Sequence, residues 1–212
     1  MTDRIIPNTV NEQPDELGAL INSLNNSDWQ QANAKSVALT DSPAQEIVLP
    51  AALPAGDADP AARSVVVVDE HAHLTHILQM KDGQLTDVLT VPDAVGKPSS
   101  PTPEKRWEIS EKRLDPIWYP PADIGGAPVA PFKVNPHNPI GLAFIRLDGT
   151  NYGLHGTNRP DQIGKSVSHG CMRHRNEDIL KIYPLVEKGT AVYTVPNFEG
   201  ASINLADFNS KS

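Results

Sequence analysis

The sequence predicts a mostly β domain, a sandwich or partly open barrel with one or two helices, behind a small, mainly α N-terminal region. Three observations carry this. Residues 64–195 hold many short β-branched or alternating apolar runs, one clear helical segment and no β-α-β alternation. Half of the 20 prolines lie between Pro98 and Pro139, and proline breaks helices and cannot donate to a sheet ladder. Asp82-Gly83 and Asp148-Gly149 stand beside apolar segments, where Asp-Gly signals a tight turn.

The chain divides into three parts. Residues 1–63 form an N-terminal appendage that ends in an Ala/Pro-rich linker, residues 64–196 the main domain, and residues 197–212 a polar tail expected to be loose. In the appendage, Leu17, Leu20, Ile21 and Leu24 give a helical stripe after the acids Asp15 and Glu16, so residues 14–34 read as helical, interrupted at Asn25-Asn26-Ser27. A short strand over 46–49 ends at Pro50. This order resembles a degenerate LysM glycan-binding module; a helical appendage packed on the main domain fits it equally.

The main domain opens with Ser64-Val65-Val66-Val67-Val68-Asp69, a buried strand by its β-branched run. A hairpin follows, 73–80 and 85–91, around Lys81-Asp82-Gly83. Residues 96–103 are a loop, 106–110 a strand, 116–121 an extended proline segment, and 123–139 a long Gly/Pro/Asn segment of the kind that forms lids or substrate walls. Strands are expected at 142–147 and 152–155, the second delivering His155 to its end. Residues 176–185 read as a helix with Asn176 at the N-cap and acids in the first turn. Residues 191–195 are the last strand.

Bulk properties exclude several functions. A net charge of −8 without a long basic run argues against nucleic acid or an anionic membrane surface as partner. No apolar run approaches the ~20 residues needed to span a bilayer. Residues 1–11 hold no apolar signal-peptide core. One cysteine excludes an internal disulfide.

The chemistry concentrates in residues 152–175, YGLHGTNRPDQIGKSVSHGCMRHR, which hold the only cysteine and three of the seven histidines. A cysteine attacks carbonyls as its thiolate and needs a base in reach, usually histidine. Cys171 follows Gly170, which lets a reacting carbonyl approach, and the N–H groups of Gly170 and Cys171 are the expected oxyanion donors. His155, at the end of a neighbouring strand, is assigned as the base, and His169 a supporting role in shaping the site. Arg173 suits a substrate carboxylate. Rival readings are weaker. A lone cysteine is often a small buried hydrophobe. A metal at His155, His169 and Cys171 lacks a fourth ligand, and His71, His73 and His76 do not share one strand face, so no metal and no cofactor is expected. Gly164-Lys165-Ser166 imitates a P-loop end, but Arg159 stands where the first glycine belongs. Ser-x-x-Lys and Gly-x-Ser-x-Gly motifs are absent.

The residues His155-Gly156-Thr157-Asn158 and Ser168-His169-Gly170-Cys171 resemble the signature of the YkuD-type L,D-transpeptidases of bacterial cell walls. Tyr152-Gly153, Arg173, residues 175–179, Gly189-Thr190 and Asn138-Pro139-Ile140-Gly141 extend the resemblance over about residues 64–195. It implies a β-rich catalytic domain, Cys171 as nucleophile, His155 as base, and the Gly156 carbonyl as its orienting group. Tyr152, Ser168 and Asn138 are candidate substrate contacts beside Arg173. The implied substrate is the peptidoglycan stem tetrapeptide, cleaved before its terminal D-Ala through a thioester. An amine resolves this as a 3→3 cross-link, water as L,D-carboxypeptidation. Carbapenem-type β-lactams are the implied covalent inhibitors. The envelope is the implied location, and a cytoplasmic muropeptide-trimming carboxypeptidase or a non-catalytic wall-binding protein are the alternatives. Three departures stand out, the first being that no export signal is visible. Thr102-Pro103-Glu104-Lys105 lacks the family's glycine, so that wall should differ, and His174 replaces a more usual aliphatic residue or methionine behind the site.

Overall fold

The computed structural model describes residues 46–120 and 125–209. The helices expected within 14–34 lie outside the described residues. Eleven strands are described: β1 (Glu46–Val48), β2 (Ser64–Asp69), β3 (Leu74–Lys81), β4 (Gln84–Gly96), β5 (Lys105–Leu114), β6 (Ala143–Leu147), β7 (Gly153–His155), β8 (Ser166–Ser168), β9 (Met172–His174), β10 (Ala191–Val195) and β11 (Ser202–Asn204), with one α-helix, α1 (Asn176–Ile182). The domain is mostly β, as its sequence predicts.

Nine strands form one sheet in the order β3-β2-β10-β5-β6-β7-β9-β4-β8. The long strand β4 closes it. Its first part pairs with β3 in the Lys81-Asp82-Gly83 hairpin, where Asp82 and Gly83 both have positive φ. Its end pairs with β9 at Asp93 and Ala94 and with β8 at Val95 and Gly96. By pairing with both β3 and β9, this strand closes the sheet into a barrel and leaves only the three-residue β8 at a margin. Sequence reading ends this strand at Val91, because Pro92 breaks the pattern; Pro92 instead sits where β4 passes from one partner to the next.

The β-branched run of β2 has a two-sided cause. Val66 and Val68 face a core with Ile77, Val91, Trp107, Ile145, Leu154, Met172 and the α1 residues Ile179 and Ile182. Val65 and Val67 face a second core with Leu49, Leu78, Tyr193, Phe198, Ile203 and Phe208. Alternating side chains point to opposite faces, so a strand covered on both is apolar throughout.

That second core corrects two expectations. The segment after Pro196 is not loose: β11 pairs antiparallel with β1, and Phe198, Ile203 and Phe208 are buried. The segment after β1 is more than a linker, since Pro54 and Gly56 exchange backbone hydrogen bonds with Asp87 on β4. The Ala/Pro composition hides this because two main-chain bonds need no particular side chain.

Candidate active site

β7 and β9 run parallel, with His155 opposite Arg173 and Leu154 opposite Met172. This places the C-terminal end of β7 beside the turn that carries Cys171. A cavity of ≈ 430 Å³ opens there, lined among others by His155, His169, Cys171 and Arg173. That volume suits a small peptide-like ligand. Its far wall is Pro116, Ile117, Trp118, Tyr119, Pro139 and Ile140, from the long segment between β5 and β6.

The turn before Cys171 is built by three residues. Gly170 has φ +107, and a Cβ there would lie 2.3 Å from Cε1 of Tyr152. The Gly170 N–H donates to Ser168 Oγ at 2.9 Å, and the Ser168 hydroxyl donates to the Cys171 carbonyl at 2.6 Å. Of the two expected oxyanion donors, the Gly170 N–H is bonded within the turn, while the Cys171 N–H has no partner among the described residues. Ser168 is fully buried and ties the turn. Tyr152 packs edge-on against Trp107 and backs Gly170; it is absent from the cavity lining. Asn138 is also buried, and its amide donates to the carbonyls of Pro116 and Ala130, clamping the long segment. Asn138 and Tyr152 are therefore supports in this arrangement, while Ser168 both ties the turn and borders the cavity.

His155 is 5% exposed. Its Nδ1 lies 2.5 Å from the Gly156 carbonyl oxygen. A carbonyl only accepts, so Nδ1 carries the proton and Nε2 keeps a free lone pair. Burial pushes the imidazole down to about 4, against the Gly156 bond, and the nearby Arg173 charge adds to the depression. Burial also raises the Cys171 thiol above its usual range, though the Gly153 backbone, Arg173 and Arg146 oppose it. The thiol donates to the Asn151 carbonyl at 3.6 Å. Near pH 7 the resting pair is therefore a neutral thiol and a neutral imidazole.

Asn176, expected as an N-cap, makes no cap bond; Arg175 occupies that position. Its side chain instead accepts from the Leu142 N–H at 3.0 Å and donates to the Thr157 carbonyl at 3.0 Å. It thereby holds the Gly156-Thr157 strap that orients His155. The space is tight: a Cβ at Gly156 or Gly141 would meet Asn176 Oδ1 at 2.2 or 2.1 Å.

Two of the cavity's three arginines are not evident from the sequence. Arg113 and Arg146 line the cavity together with Arg173. Glu111 bonds both Arg113, at 2.6 Å, and Arg146, at 3.2 Å. Arg173 bonds only the neutral Gln162, at 2.8 Å, and has no carboxylate partner among the described residues. His169 is exposed at the rim, with Lys97 Nζ 3.0 Å from its Nε2. The alternation of β5 and β6 gives the signal that would have found Arg113 and Arg146, once the register Arg113–Phe144 and Glu111–Arg146 is known. His76 is bonded to Asp87 at 2.7 Å and packs on Phe198.

Comparison with known proteins agrees with this architecture. The L,D-transpeptidase catalytic domain model (YkuD) matches residues 63–194. YkuD of Bacillus licheniformis is 35% identical over 109 residues, 51% of this chain and 54% of that protein. YqjB of Bacillus subtilis is 34% identical over 116 residues, 52% and 60%. YbiS of Escherichia coli is 37% identical over 114 residues, 50% and 37%. All three bear L,D-transpeptidase names, and the chain spans about half the length of the first two. An L,D-transpeptidase structure from Mycobacterium tuberculosis superposes with a TM-score of 0.50 at 20% identity, covering 63% of this chain and 58% of that one. L,D-transpeptidase 3 of the same organism, with a faropenem-derived adduct, also gives 0.50 at 20%, covering 63% and 60%. The matched residues contain both His-Gly pairs, Cys171 and nine of the strands of the barrel, and the chain belongs to the L,D-transpeptidase (YkuD) family.

Proposed function

We propose that this protein is a cysteine L,D-transpeptidase that acts on peptidoglycan stem tetrapeptides through a thioester. The observation that carries this is the Nδ1-to-Gly156 bond, which frees the Nε2 of His155 in the cavity that holds Cys171. Nε2 takes the thiol proton as sulfur attacks the carbonyl of the third stem residue. The Cys171 N–H supports the oxyanion. Collapse breaks the amide bond, and imidazolium returns its proton to the departing D-Ala amine. A second amine then attacks the thioester, gives its proton to Nε2 and frees the thiol.

Two neutral partners make this a stepwise-activated thiol, not a preformed ion pair. Arg173 is the carboxylate clamp, because it alone of the three cavity arginines lacks an acidic partner among the described residues. His169 and Lys97 shape the rim. A β-lactam of the carbapenem class offers the same acyl carbon to sulfur and would acylate Cys171. The cell envelope is the proposed place of action, as the substrate requires. Among the described residues no helix is long and apolar enough to cross a membrane.

The test is incubation with disaccharide-tetrapeptide and mass analysis of the products. Cross-linked dimers plus D-Ala are expected. Tripeptide plus D-Ala alone, at high acceptor concentration, would instead establish a carboxypeptidase. Unchanged substrate would leave only a wall-binding role.

A further inference from the structure

The wall behind His155 holds a buried polar chain with no part in the steps above. Thr75 on β3, Asp93 on β4 and His174 on β9 are each 0% exposed. The Thr75 hydroxyl lies 2.7 Å from Asp93 Oδ2 and 2.9 Å from His174 Nε2. Asp93 and His174 face each other across the β4–β9 pair. The His174 ring borders the backbone carbonyls of Met172 and His155. The surroundings are apolar, with Ile77, Val91, Val95 and Met172 in the same core. Buried polar groups are costly unless partnered, yet Asp93 Oδ1 and His174 Nδ1 have no hydrogen-bond partner.

One hydroxyl proton serves two neighbours, so the chain has two proton arrangements. With Asp93 ionised, Thr75 donates to it, His174 Nε2–H donates to Thr75, and Nδ1 is bare. Uptake of one proton at Nδ1 passes the Nε2 proton to Thr75 and the Thr75 proton to Asp93; Asp93 O–H then donates to Thr75, Thr75 donates to Nε2, and Nδ1 carries the ring proton, on a ring that borders the His155 carbonyl. We propose that Asp93, Thr75 and His174 are positioning residues for the reaction, coupling the protonation of Asp93 to the basicity of His155. This rests on the reading of His155 as the base.

Burial pushes Asp93 up to about 7, opposed by the Thr75 bond and assisted by Asp69 and Glu70 at the end of β2. Burial, then the charge of His155, holds His174 down at about 3, while Asp178 on α1 acts the other way. His174 thus stays neutral and changes tautomer only. Arg173 faces His155 from β9 and disfavours its cationic form. An anionic Asp93 would favour that form, and with it proton transfer from the thiol.

Cys171 is the only cysteine. Its alkylation by iodoacetamide, followed by intact mass against pH, therefore reports this thiol without any wall substrate. The wild-type rate should step up by roughly threefold or more near pH 7, below the thiol's own ionisation. Asp93→Asn and Thr75→Val should lack that step, and Thr75→Ser should keep it. Profiles of Asp93→Asn and Thr75→Val that superimpose on wild type would overturn the relay, as would variants altered only in melting temperature. Should Asp93→Asn not fold, Thr75→Val decides. An unchanged profile in His155→Ala would instead overturn the base assignment itself, a result the relay variants cannot mimic.

Discussion

His155 and Cys171 are depressed and raised by the same cause, removal from water, and this sets the pH behaviour of the site. The base must be neutral. Its folded value is about 4, so below the roughly threefold step that Asp93 sets near pH 7 activity should hold as pH falls through 6 and drop fully only as it approaches 4. A kcat/KM profile with its acid limb near the ordinary histidine range of about 6.5 would contradict this. The same shift has a stability cost. The unfolded chain binds protons to His155 and His174 below about 6.5 while the folded chain resists, so these two groups favour unfolding as the solution is acidified. His155→Ala should lower acylation about 10²–10⁴-fold, the usual worth of a placed general base. Arg173→Ala should weaken substrate by about 1.5–3 kcal/mol, read as a raised KM, with Arg173→Lys recovering part of it. Equal KM in wild type and Arg173→Ala would remove the carboxylate clamp.

At the scale of elements, two connections set the geometry. The Ser168–Gly170 turn presents Cys171, and Gly170 combines a positive φ with van der Waals contact to Tyr152. Gly170→Ala should abolish acylation, and Tyr152→Ala should not restore it, because the backbone strain remains when the contact is gone. Restored acylation in the double variant would show that contact alone matters. The Gly156-Thr157 strap depends on Asn176. Asn176→Ala should reduce acylation more than tenfold while the barrel still melts cooperatively; the paired rates and melting curves check this.

The legibility of the sequence follows the same division. Runs that satisfy one face or two, such as the five strand residues from Val65 to Asp69, show their burial directly. So do the Gly-flanked residues His155 and Cys171, whose chemistry needs those neighbours. Roles that depend on a register were hidden. Ser168, Tyr152 and Asn138 are the right residue types for substrate contact, but the fold uses Ser168 and Asn138 to bond backbone and packs Tyr152 on Trp107. Arg113 and Arg146 look like surface cations until β5 and β6 bring them to the cavity.

At the scale of the whole molecule, the barrel is closed by β4 and its outer face is sealed by the C-terminal segment. Phe198, Ile203 and Phe208 were read as a loose tail because they are isolated among polar residues. Each buries an apolar side chain worth about 1.5–3 kcal/mol. Truncation after Val195 should therefore uncover Val65 and Val67 and lower the melting temperature sharply. Equal melting temperatures for the full and truncated chains would show that the second core adds nothing. A soluble truncated chain would also keep the site, whose lining includes no residue beyond Arg173.

The central claim is that Cys171 becomes acylated by a stem peptide. The direct measurement is acid quenching of the enzyme with disaccharide-tetrapeptide, then intact and peptide mass analysis. The expected result is an adduct on the peptide containing Cys171 with the mass of the donor less D-Ala, absent from Cys171→Ala. Turnover by Cys171→Ala, or an adduct on any other residue, would contradict it.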